Sequence, residues 1–266
     1  MATPIVSGGG AENERRDVPR SCFDELSTSG YEFGPLTLSL SKGERAFSDA
    51  AVQHSEEDRM TDSAIKRLGV VLFPGFELLD VFGPVEMFGN LQGVVDTRLV
   101  AQEAGPVTSA QGPAAVAAHG FADAPHLDML LIPGGIGTRE EIDNPVMLDW
   151  LRQRVAAAEL VMTVCTGTAL LARIGALDGR RATTNKAVFH WVAEQGPGVE
   201  WVKQARWVED GKFVTSSGVS AGMDMALAVI ARLCGPEMSR VLALGTEYDW
   251  HEDASWDPFA KAHGLV

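Results

Sequence analysis

The chain has 266 residues, 45% of them hydrophobic and 22% charged, enough apolar material for one large globular domain that folds without disulfides or metals. Against 22 basic residues stand 36 acidic ones, a formal net charge of -14 that repels phosphate backbones and anionic lipid and so excludes nucleic acid and membrane as expected partners. The cysteines Cys22, Cys165 and Cys234 are too sparse for a disulfide framework. With no apolar leader or span-length apolar run, they point to a reducing, cytoplasmic setting.

Residues 1–63 carry Ser7-Gly8-Gly9-Gly10 and the run Glu56-Glu57-Asp58-Arg59 but no sustained period of 2 or 3.6. They are expected to form a disordered N-terminal extension, dispensable up to Met60, with at most a short helix over 44–53. A domain over 64–248 follows. Its first element is a buried strand over 67–73, ended by Pro74-Gly75, and then a helix over 78–90. A strand over 97–102 precedes two short extended pieces, 107–110 and 115–119, around the Gln111-Gly112-Pro113 turn. A buried strand over 128–132 stops at Pro133-Gly134-Gly135, and a helix over 145–158 starts with Pro145 in its first turn. A strand over 160–164 runs into Cys165 and a helix over 166–174. Beyond it the pattern predicts a helix over 187–195, a hairpin across Asp210-Gly211, and helices over 221–233 and 237–244. Residues 249–266 read as a C-terminal tail whose Trp250 and Trp256 pack on the domain or line its pocket.

Strands alternating with helices predict an α/β fold with a mainly parallel sheet covered on both faces. In such sheets ligands bind beyond the carboxyl ends of the strands, where strand order reverses. Three strand ends carry unusual residues: the Pro74-Gly75 turn leading to Asp80, the Gly134-Gly135 pair, and Cys165.

Cys165 ends an apolar strand and opens a helix in Val164-Cys165-Thr166-Gly167, the context of a strand-to-helix elbow. At a helix N-terminus the thiol is expected to have a lowered pKa and to act as a nucleophile. Thr166 and Gly135 are the expected backbone donors for charge that develops during attack. Asp80, amid apolar residues, reads either as a helix cap or as a buried carboxylate that moves protons. Glu86, on the same helix, is the rival carboxylate and is expected to face solvent. Cys234 reads as a buried hydrophobe, and His190 as a packing or surface residue. His251-Glu252-Asp253 cannot converge on one ion from a single helix, so no metal and no cofactor is expected.

Taken in order, Leu72-Phe73-Pro74-Gly75 through Asp80 to Pro84, Leu131-Ile132-Pro133-Gly134-Gly135, Val164-Cys165-Thr166-Gly167, Gly179 to Thr184 and Ser217 to Asp224 resemble the ThiJ/PfpI superfamily, and within it the isocyanide (isonitrile) hydratase branch. The resemblance runs from about residue 65 to 248. It implies a flavodoxin-like three-layer sandwich, a homodimer, a small-molecule substrate, a nucleophile at Cys165 and an acidic partner at Asp80. Two departures narrow the activity. Thr166 stands where proteases of the superfamily carry a histidine, and Asn185 stands where glyoxalase-like members carry one after the Thr183-Thr184 pair. Peptide hydrolysis needs an acid for its amine leaving group, whereas adding water across an isocyanide does not. Hydration of an isocyanide to an N-formamide is therefore the leading reading. Aldehyde chemistry of glyoxalase or deglycase type, and a ligand- or redox-sensing domain without turnover, are the alternatives.

Overall fold

The computed structural model describes residues 65–266, so the extension expected over 1–63 lies outside the described residues. Strand β1 (Lys66–Val71) leads to α1 (Leu78–Gly89) and β2 (Val95–Ala101). A hairpin of β3 (Gly105–Thr108) and β4 (Ala114–Ala117) follows, and β5 (His119–Gly120) returns to the sheet. Next come β6 (Met129–Ile132), α2 (Thr138–Glu141), α3 (Pro145–Ala157), β7 (Leu160–Thr163) and α4 (Thr168–Arg173). The remainder holds β8 (Arg181–Ala182), α5 (Phe189–Glu194), β9 (Glu200–Trp201), the hairpin of β10 (Trp207–Asp210) and β11 (Phe213–Ser216), α6 (Ala221–Cys234), α7 (Pro236–Gly245) and α8 (Pro258–Ala262).

Seven strands make one sheet in the order β10-β11-β7-β6-β1-β2-β5. All neighbours run parallel except β10, which pairs antiparallel with β11. Every residue of β6 and β7 is buried, because a central parallel strand is covered on both faces and must be apolar throughout. Each fully buried leucine or isoleucine there contributes about 1.5–3 kcal/mol relative to exposure. Helices α1, α6 and α7 pack together as one layer, and α2, α3, α4 and α5 form the other, which completes a flavodoxin-like three-layer sandwich.

Sequence pattern locates the long elements to within a few residues because each buries a continuous run or a clear stripe. The helix expected over 166–174 differs. It opens as a tight turn over Cys165–Gly167, with Gly167 N–H donating to Val164 O at 3.0 Å, and only then becomes α4. The cause is Cys165 itself, held at φ 58°, which no residue inside an α-helix adopts. Elements α2, α8, β5, β8 and β9 were not anticipated, being too short to carry a period. No helix among the described residues is long and apolar enough to cross a membrane.

From β1 the chain moves outward to β2 on one side, and it later enters β6 on the other. Strand order therefore reverses between β1 and β6, and the crevice at their carboxyl ends is where this architecture places a ligand.

Candidate active site

Two loops meet at that crevice. The turn after β1 is laced to the turn after β6: Glu77 N–H donates to Gly134 O at 2.8 Å, and Phe76 bridges to Gly135. The lacing fixes the start of α1 beside the elbow. Glu77 occupies the cap position of α1, so of the two readings of Asp80 the cap is excluded. Asp80 lies in the first turn, fully buried, with Oδ2 accepting from Gly134 N–H at 2.8 Å. Glu86 is exposed, so Asp80 is the carboxylate beside the thiol.

Cys165 emerges at the end of β7 and is 6% exposed. Its backbone is held from both sides: its N–H donates to Ser217 O at 3.0 Å, and its carbonyl accepts from Thr184 Oγ1 at 2.7 Å. The sharp turn brings it against the β6 loop so closely that a Cβ on Gly134 would stand 2.5 Å from Thr166 N and 2.8 Å from Cys165 Cβ. A glycine is required there because backbone meets backbone.

Three donors surround the sulfur. Asn185 Nδ2 donates to Sγ at 3.2 Å, and the N–H groups of Thr166 and Val219 also face it. The amide of Asn185 is oriented by Ala187 N–H, which donates to its Oδ1 at 2.9 Å and so turns the donor end toward sulfur. A Cβ on Gly218 would collide with that amide, which makes the adjoining glycine part of the same fit. The Gly135 N–H, expected to face a ligand, instead donates to Thr166 Oγ1 at 3.0 Å.

Electrostatics reverse one expectation. The helix N-terminus was expected to lower the Cys165 pKa, yet the thiol is pushed up to about 12, first by burial and then by the charge of Asp80. The donors from Thr166, Asn185 and Val219 oppose that rise without overcoming it. The short turn and six-residue helix behind Cys165 supply a weaker field than a long helix would. Asp80 is likewise raised to about 7, chiefly by burial; the Gly134 N–H lowers it, the charge of Glu77 raises it and the thiol lowers it. Asp80 Oδ1 is buried, with no fixed hydrogen-bond partner among the described residues. At rest the pair is a neutral thiol beside a carboxyl poised to ionise near neutrality.

Asn185, Val219 and Ser217 were missed as contacts of the cysteine. Asn185 was noted only as the residue standing where relatives carry histidine, and Val219 and Ser217 only as parts of a motif. His190 is exposed with its ring edge-on to Phe189, and Cys234 is buried at the end of α6. His251 stacks on Trp256 with ring centroids 4.1 Å apart, and among the described residues no three His, Cys, Asp or Glu side chains gather as a metal site.

Two cavities border this end of the sheet. The larger, about 410 Å³, is lined by Pro74, Gln102, Thr108 and Glu141, and shares no residue with the partners of the sulfur. The smaller, about 250 Å³, is lined by Asn185, Ser217 and Val219, all of which touch Cys165. The smaller cavity is thus the one bordered by Asn185 and Val219, two of the groups that face the sulfur.

The fold and site define a parallel α/β sandwich with a cysteine on a strand-to-helix elbow and a buried acid beside it. The chain belongs to the DJ-1/PfpI family, whose model matches residues 66–232. It is 35% identical over 182 residues to the isonitrile hydratase of Pseudomonas putida, a match covering 68% of this chain and 78% of that protein. It is 26% identical over 173 residues to the HTH-type transcriptional regulator CdhR of Pseudomonas aeruginosa, covering 64% of this chain but only 51% of the regulator. Among solved structures, a ThiJ/PfpI family protein from Pseudomonas syringae superposes with a TM-score of 0.65 at 27% identity, over 83% of this chain and 92% of that one.

Proposed function

We propose that the protein is a hydro-lyase that adds water to a small isocyanide, giving the N-formamide, with Cys165 as nucleophile and Asp80 as the group that moves protons. The observation that carries this reading is the buried Asp80–Cys165 pair with Asn185, rather than a histidine, hydrogen-bonded to the sulfur. An asparagine holds and orients but exchanges no proton at neutral pH, so the carboxylate is left with every proton transfer. Similarity to a protein named isonitrile hydratase supports the same reaction class.

The ionised Asp80 removes the thiol proton as sulfur bonds to the terminal isocyanide carbon. The proton passes from Asp80 to that same carbon, leaving a thioimidate, R–N=CH–S–Cys165. Water then adds to the carbon, nitrogen takes up a proton and the C–S bond breaks. The products are R–NH–CHO and the free thiol, with one water consumed. The N–H groups of Thr166 and Val219 and the Asn185 amide face the sulfur and offset its charge both as it attacks and as it leaves. Gly135 acts at one remove, by holding the Thr166 hydroxyl.

The same reading includes a homodimer, as the family resemblance implies. Leu79 and Phe82 on α1 are 39% and 42% exposed, an apolar surface that a second copy would cover. The test of function is to incubate the purified protein separately with an alkyl isocyanide and with methylglyoxal, following formamide and lactate. Formamide alone supports hydration, and lactate shifts the reaction to aldehyde chemistry. Neither product, together with peroxide oxidation of Cys165, makes the protein a sensor, the reading that its 26% identity to the transcriptional regulator CdhR favours.

A further inference from the structure

The C-terminal segment is tied into the domain at two buried points. At the first, Asp224 collects Tyr248 Oη at 3.0 Å and His251 N–H at 3.1 Å, while its own charge is matched by the buried Arg206. At the second, the fully buried Lys186 and Asp257 lie 3.1 Å apart as an ion pair. Lys186 also donates to Thr183 Oγ1, Thr184 O and Ala205 O, so its ammonium sits in a closed cage. The other oxygen of Asp257 caps α8, accepting from Phe259 N–H at 2.9 Å and Ala260 N–H at 3.3 Å. Ala260 of α8 and Leu265, just beyond the helix, pack against Phe189. Phe259 of α8 and His263, the residue that caps the helix, lie one turn apart, and both border the 250 Å³ cavity.

That cavity has Asn185 and Val219, two groups that touch the sulfur, on its other side. The anchor Lys186 is the residue next to Asn185, so one short stretch of chain holds both the tail and a contact of the sulfur. We infer that α8 is the outer wall of the passage to Cys165, and that Phe259 and His263 set the upper size limit of the substrate's organic group. The inference rests on the hydratase reading for its substrate but not for its geometry. A 250 Å³ space lies below the roughly 300–1,000 Å³ of pockets for drug-sized ligands, which suits an isocyanide with a compact substituent.

Two readouts on Phe259→Ala, Phe259→Trp and His263→Ala test this, all in the full chain. Phe259 is 46% exposed and His263 is exposed as well, so these substitutions leave the core untouched, which thermal melting checks. The first readout is kcat/KM for methyl isocyanide against cyclohexyl isocyanide. Phe259→Ala raises the cyclohexyl-to-methyl ratio about tenfold, the scale on which a hydrophobic pocket discriminates by size. Phe259→Trp lowers it, and His263→Ala moves it in the same direction as Phe259→Ala. The second readout needs no turnover: the rate at which iodoacetamide and the bulkier iodoacetanilide alkylate Cys165. Phe259→Ala speeds the bulky reagent relative to the small one by several-fold. Shifted alkylation ratios in a protein that hydrates no isocyanide keep the wall and overturn the hydratase reading. Normal hydration with both ratios unchanged in all three variants overturns the wall and keeps the reading.

Discussion

Asp80 ties its proton to both stability and rate. Its ordinary pKa is 3.8 and burial raises it to about 7, so the folded protein holds the proton more tightly than the unfolded chain. That contribution is fully present below about pH 4 and is lost as pH rises toward 7, a difference on the order of 4 kcal/mol. Asp80→Asn removes the ionisation while leaving an oxygen for the Gly134 N–H. Its melting temperature should exceed that of the wild type at pH 8, with the gap narrowing as pH falls and closing only near pH 4. The same change should lower turnover by about two to four orders of magnitude and abolish a kcat/KM limb that rises with an apparent pKa near 7. An unaltered pH profile in the variant would remove Asp80 from the mechanism. The cysteine responds in the opposite sense. Because the charge of Asp80 raises the thiol pKa, Asp80→Asn should shift the pH profile of Cys165 alkylation by iodoacetamide to lower pH. A profile that stays in place would mean that burial alone sets the thiol, with no coupling to the carboxylate.

Elements meet at this site through backbone rather than side chains. The β6 loop, the elbow and the start of α1 interlock at Gly134, which donates to Asp80, accepts from Glu77 and leaves no room for a Cβ beside Thr166 N. Gly134→Ala should therefore cost about 1–3 kcal/mol as the loop moves off the elbow, read from urea unfolding. Drawing the Gly134 N–H away also takes from Asp80 the hydrogen bond that holds its pKa down. The rising limb of kcat/KM should then move to higher pH in this variant. A stability loss with the limb unmoved would reduce the contact to packing alone.

At the scale of the whole molecule, the described residues 65–266 contain the seven-stranded sheet, both helical layers and the donors that face the sulfur. A chain starting at Met60 should keep full activity and its oligomeric state. If α1 forms the dimer surface, Phe82→Asp should convert a dimer to a monomer by sedimentation equilibrium, since an unpaired carboxylate in an apolar interface is costly. Dimerisation unaffected by Phe82→Asp would place the interface on another face.

The alternation of buried runs with amphipathic stretches was enough, by itself, to determine a parallel α/β sheet, the order of its long elements and the three strand ends that converge. Those features depend on local period and turn residues, which the chain displays directly. The cysteine on its elbow and the acid near it were legible for the same reason: one ends an apolar run, and the other interrupts one. Whether Asp80 caps a helix or is buried was decided only by packing, because residues 54 apart in sequence, Asp80 and Gly134, share a hydrogen bond. The direction of the Cys165 pKa was likewise invisible. A helix N-terminus can be read from sequence, but burial and a neighbouring charge depend on what the fold places around the sulfur. Asn185 and Val219 come from segments with no period linking them to Cys165, and only the tertiary structure sets them beside it.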